Sequence, residues 1–122
     1  MASAKTAPVK RWNLESLEFA LRKALLERAR VRVGELSPDR SADAVYVRGG
    51  AARIRVDDHK VGVLPGVLHE LLHVVLDEEF ERFETEIEEI LVEALELALS
   101  TKVAQSARRV AWWRKAIAER AR

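Results

Sequence analysis

The chain has 122 residues and no cysteine. Disulfides, thiolate metal sites and thiol catalysis are therefore excluded. It has no apolar run near the roughly 18 residues of a membrane span. Its start, MASAKTAPVKRW, has no apolar core of signal-peptide length. The expectation is a soluble, cytoplasmic protein with no membrane partner. There is also little net charge, +1, so no strong general attraction to nucleic acid is expected. A chain of this length is expected to form one domain and can bury a core without covalent help.

The near-neutral total hides a split. Between Asp77 and Glu96 the only base is Arg82, and between Lys102 and Arg122 the only acid is Glu119. Such blocks predict two solvated helix faces of opposite sign that attract each other within the fold.

Residues 1–11 are expected to be a flexible tail and residues 12–122 a single domain. Asn13 is a good N-cap, and Leu14, Leu17, Leu21, Ala24 and Leu25 recur at helical spacing, predicting a helix to about Arg30. Val31–Val33 reads as a short strand. Ala44–Val47 and Arg53–Val56 alternate around Gly49 and Gly50 and predict a hairpin. A helix follows from Pro65 to about Leu76. After DEEFERF, an acidic helix is expected from Glu84 to Leu99, burying Phe83, Ile87, Ile90, Ala94 and Leu97. Ser100–Lys102 offers a cap for a last helix with Val103, Ala107, Val110, Trp113 and Ile117 on its apolar stripe. The fold class is α+β: a helix, a small three-stranded sheet, then three helices.

Only three histidines occur, and two of them stand in the most apolar helix. His69-Glu70-Leu71-Leu72-His73 has the spacing H-E-x-x-H. Residues i and i+4 lie one turn apart on one helix face, so both imidazoles can reach a single zinc ion. Glu70 is displaced round the helix, where it can serve as general base toward a water beside the metal. Apart from these three residues, Val67–Leu76 is wholly apolar. The helix should be buried, and burying two imidazoles and a carboxylate without partners costs several kcal/mol. A metal resolves that cost. The plainer reading is a pair of core histidines hydrogen-bonded to acids of the next helix.

A catalytic zinc of this kind takes a third protein ligand. His59 lies in the polar connector DDHK and reads as a solvent-exposed loop residue. The acidic helix offers the alternatives. With Ile90, Ala94 and Leu97 inward, Glu93 flanks the buried face and stands level with the histidines. Glu89 is level but further round. Glu88 points away, and Glu84, Glu88 and Glu96 read as solvated.

LHELLHVVL, preceded by the strand ARIRVDD and followed by VEALELAL, resembles the small gluzincin-type zinc metallopeptidases. These are the minigluzincins and the ImmA/IrrE-type enzymes common in bacteria and their phages. The resemblance implies a minimal zincin-like fold, a zinc cofactor, a peptide or protein substrate and peptide-bond hydrolysis. It carries the metal-ligand role onto His69, His73 and Glu93, and the general-base role onto Glu70. In those families an acid stands one turn after the ligand. That position falls on Leu97 if Glu93 binds, and on Glu93 if Glu89 binds, so Glu89 stays open. No clear oxyanion donor stands out, since Tyr46, the only tyrosine, falls in a strand. The resemblance also implies that the strand Ala52–Val56 could pair with a substrate peptide, with Arg53 and Arg55 either favouring acidic substrates or simply facing solvent.

ARRVAWWRKAIAER sets Trp112 and Trp113 among bases. One tryptophan should anchor the helix, leaving the other partly exposed. The plain expectation is a docking helix whose bases face the acidic helix. A protein partner comes second and single-stranded nucleic acid last. The alternative to an enzyme is a zinc-stabilised interaction module using this helix.

Overall fold

Asn13 caps the first helix in a reciprocal box. Its side chain accepts the Ser16 N–H at 2.8 Å, and the Ser16 hydroxyl accepts the Asn13 N–H at 3.1 Å. This helix, α1, spans Leu14–Glu27 in the computed structural model of the protein, which describes residues 13–122. The expected tail, residues 1–11, and Trp12 lie outside the described residues.

Three strands follow: β1 (Ala29–Val33), β2 (Ala42–Tyr46) and β3 (Ala52–Val56). They form a mixed sheet in the order β1-β3-β2, with β3 parallel to β1 and antiparallel to β2. The β2–β3 hairpin turns at Gly49, whose φ of 72° is the left-handed backbone that glycine adopts without cost. Arg28, at the end of α1, donates to the Gly50 and Val47 carbonyls and holds this turn. Ala52, Ile54 and Val56 of β3 face the core, while Arg53 is exposed. Arg55 is paired with Asp43, opposite it on β2, at 2.8 Å.

Four helices complete the chain: α2 (Val63–Val75), α3 (Asp77–Phe80), α4 (Thr85–Ala104) and α5 (Ala107–Arg120). The architecture is α+β, with five helices and one small mixed sheet. No helix among the described residues is long and apolar enough to cross a membrane. Helix α2 packs closely on β3. A Cβ on Gly66 would stand 2.9 Å from Val56 Cγ1, so only glycine permits this approach. Val67, Leu68, Leu71 and Leu72 are fully buried around it. Each such side chain contributes about 1.5–3 kcal/mol.

Two expectations for α4 change. The helix does not end at Leu99. The Thr101 hydroxyl donates to the Leu97 carbonyl at 2.8 Å, turned back along the same helix rather than forward to cap a new one. Ser106, not Ser100, caps α5, its side chain accepting the Arg109 N–H. The second change is larger. Val92, Leu99 and Val103 are buried, whereas Phe83, Ile87, Ile90 and Leu97 are 45–68% exposed. The inward face is turned by about half a turn from the expected one.

Trp113 is the largest fully buried side chain, and Trp112 is half-buried with the Arg22 guanidinium 4.3 Å above its ring. The bases of α5 do not meet α4 as expected: no ion pair joins the two helices among the described residues. Arg109 instead approaches Glu18 of α1, at 3.8 Å. Glu18 is buried and accepts from Arg22 at 2.8 Å and from the Trp113 indole N–H at 3.1 Å. Burial alone would push its carboxyl up. The Arg22 and Trp113 hydrogen bonds and the charges of Arg22 and Arg109 overcome this and hold it below the ordinary value of 4.5.

Glu18→Gln should therefore cost about 1–3 kcal/mol in urea unfolding at neutral pH, because charged hydrogen-bond partners are left unmatched. The depressed value means that this contribution is complete above pH 4.5 and fades as pH falls through the folded-state value. The native chain should lose this part of its stability in acid, and the variant should show a flatter acid limb.

Candidate metal centre

The demand comes from α2. His69 and His73 lie one turn apart, and their ring centroids are 5.1 Å apart. Glu70, between them in sequence, is buried. Three glutamates of α4 answer this demand. Glu96 Oε1 is 3.0 Å from His69 Nδ1, and Glu88 Oε2 is 2.5 Å from His73 Nδ1. The opposite nitrogens turn toward one carboxylate. His69 Nε2 is 3.3 Å from Glu89 Oε2, and His73 Nε2 is 2.7 Å from Glu89 Oε1. One donor atom from each of His69, His73 and Glu89 lies within 4.8 Å of the others, a group that could hold a metal ion.

Of the residues singled out in sequence, the structure brings together His69, Glu70, His73 and Glu89. Glu93 is exposed and makes no hydrogen bond or ion pair with either histidine. The physical reason is the rotation of α4. With Val92, Leu99 and Val103 inward, Glu88, Glu89 and Glu96 fall within about 60° of the buried face, and Glu93 falls about 100° away. His59 is exposed in its loop.

Glu88 and Glu96, expected to be solvated acids, are not: each is a partner of a half-buried imidazole. A signal for them was present. Val92, Leu95, Leu99 and Val103 form a second apolar stripe at helical spacing, and with that stripe inward Glu88, Glu89 and Glu96 turn toward α2.

The cleft over these residues has a volume of about 340 Å³ and is lined by Ala42, Asp43, Ala44, Tyr46, His69, Glu70, His73 and Glu89. One wall is α2, the second α4, and the third is β2, an edge strand of the sheet. Burial pushes the Glu70 carboxyl above the ordinary glutamate range. The two imidazoles pull it back, and Glu89 and Asp43 add to the rise.

Tyr46 joins the cleft from β2. Its hydroxyl donates to Asp77 Oδ1 at 2.8 Å, and Arg48 donates to Asp77 Oδ2 at 2.6 Å. These bonds clamp the hairpin onto the start of α3, just past the end of α2. Burial raises the Tyr46 phenol well above its ordinary value of 10.0, and Asp77 adds to this.

Comparison with known protein families, curated proteins and solved structures finds no match for this chain.

Tyr46 is the only tyrosine in the chain, so an ultraviolet titration reads it directly. The phenolate signal should emerge well above pH 10.0. It should move down toward that value in Asp77→Asn. A native transition at the ordinary value would show that the clamp is not formed in solution.

Proposed function

We propose that the chain is a small zinc-dependent metallopeptidase of the gluzincin type, with a minimal zincin-like fold. The observation that carries this reading is the convergence of His69 Nε2, His73 Nε2 and the Glu89 carboxylate beside buried Glu70. Two imidazoles and one carboxylate suit zinc and leave a coordination position open. The spacing also suits it. Donors about 2.0–2.2 Å from a tetrahedral ion stand roughly 3.3 Å apart, and one donor atom from each of the three residues lies within 4.8 Å of the others, close enough for small side-chain shifts to enclose an ion.

Zinc bound there would supply Lewis acidity toward a peptide carbonyl and lower the pKa of a bound water. The remaining work falls to the chain. Glu88 and Glu96 hold both rings by Nδ1 and leave Nε2 for the metal. Glu70, with its affinity for protons raised by burial, would take a proton from water and deliver it to the departing amine.

Substrate docking is proposed along β2 rather than along the strand Ala52–Val56. That strand, β3, is central and paired on both sides, so it has no free edge. β2 has one, beside the cleft. An extended peptide would bind it by main-chain hydrogen bonds, with Ala42 and Ala44 leaving room for its side chains. Arg55 is engaged by Asp43, which weakens the expectation of a preference for acidic peptides.

Elemental mass spectrometry should find about one zinc per chain. His69→Ala and Glu89→Ala should lose it, and Glu93→Ala should retain it. Glu88→Ala and Glu96→Ala should weaken zinc binding by about 10–100-fold, the usual effect of removing an imidazole's outer partner. Glu70→Gln should keep the metal and lower peptide hydrolysis by at least about 100-fold. A chain that takes up no zinc when zinc is supplied would overturn the proposal. Zinc uptake without hydrolysis, with biological function intact in Glu70→Gln, would favour the interaction module and direct attention to the tryptophans of α5.

A further inference from the structure

Helix α4 has two apolar faces, and the fold uses one. On the other, Ile87, Ile90 and Leu97 are 45%, 65% and 68% exposed, with Ala94 exposed between them, and Phe83, 46% exposed, stands just before the helix. Within α4 the intervals from Ile87 through Ile90 and Ala94 to Leu97 are three, four and three, the repeat of a helix seam that packs against another helix. Leu91, 36% exposed, widens the face. Together these side chains expose on the order of 500 Å² of apolar surface, near the upper end of what monomers leave bare.

We infer that this face is a self-association surface, on which two copies of the chain pair through antiparallel α4 helices. Three observations select this occupant. The first is charge. Glu84 and Glu86 stand at the start of α4 and Lys102 near its end, and none of them has an ion-pair partner among the described residues. Antiparallel pairing sets the acids of one copy level with Lys102 of the other, whereas parallel pairing sets acids against acids. The second is shape. A two-fold axis at Ala94 places its small side chain where the helices cross. It then puts Ile90 opposite Ala98 and Ile87 opposite Thr101, large against small, and Leu91 opposite Leu97. The third is extent. Twenty residues of helix run about 30 Å, and with its flanking polar residues such a face approaches the roughly 800 Å² per partner of a stable interface.

The seam lies across the helix from Glu88, Glu89 and Glu96. Pairing therefore leaves the histidine cleft open, while supporting from behind the helix that carries its carboxylates. The inference stands whether or not a metal binds.

Sedimentation equilibrium tests it. The native chain should show a concentration-dependent shift toward twice its 13.8 kDa mass. Leu97→Glu should raise the dissociation constant by at least about 100-fold, as expected for a charge placed at the centre of an interface. Leu97 is exposed in the single chain, so circular dichroism should be unchanged. Because the chain has no cysteine, introduced thiols report orientation. Ala94→Cys should form a disulfide-linked dimer on oxidation. Ile87→Cys should not link to itself but should link to Thr101→Cys. A chain that stays monomeric at all attainable concentrations would overturn the inference. So would a dimer indifferent to Leu97→Glu, or self-linking of Ile87→Cys.

Discussion

A helix that is buried on nearly every side cannot carry polar groups unless a neighbour serves them. That constraint, set by His69 and His73 on α2, fixes how α4 sits against it. Two imidazoles present four ring nitrogens, and all four meet carboxylates of α4. Apolar packing alone could seat α4 on either of its two greasy faces. Only one of them carries Glu88, Glu89 and Glu96 at the right height, so partnering of the histidines decides its rotation.

This choice explains what was and was not legible in the sequence. The succession of a helix, three strands and helices, the hairpin at Gly49 and the apolar helix around the two histidines follow from local signals, while the short helix α3 within DEEFERF, expected as a plain connection, does not. Asn13, the alternation around Ile54 and the run Val67–Leu76 each speak for themselves. The rotation of α4 is a tertiary property. Ile87, Ile90 and Leu97 are as hydrophobic as Val92, Leu99 and Val103, so periodicity could not separate the stripes. With the stripe of Ile87, Ile90 and Leu97 inward, Glu93 flanks the core and Glu88 and Glu96 face away from it. What separates the two stripes is which face can hydrogen-bond the two half-buried imidazoles of α2. The α4–α5 boundary failed for a smaller reason: Ser100 and Thr101 resemble a cap, but Thr101 bonds back to Leu97 and the helix continues.

The terminal helices meet a related problem behind the site. Glu18 is as buried as Glu70, yet its surroundings do the opposite to it. Arg22, Arg109 and the Trp113 indole keep Glu18 charged, while apolar burial drives Glu70 toward its neutral form. Two buried glutamates thus divide into a fastener and a proton-affine group, according to the company each keeps.

The sheet has two open edges, and they are not alike. Outward-facing Arg30 and Arg32 line β1, so two such edges brought together would stack like charges. On β2, Val45 is 70% exposed and uncharged, and so is Val47 just beyond the strand, 69% exposed. A bare strand edge invites any extended chain that drifts past, which is why proteins usually keep such edges short or charged. Here one edge repels its own kind and the other, five residues long, is left receptive beside the histidine cleft. The small sheet therefore has a sticky side and a guarded side, and its hazard of uncontrolled self-pairing is confined to a single strand.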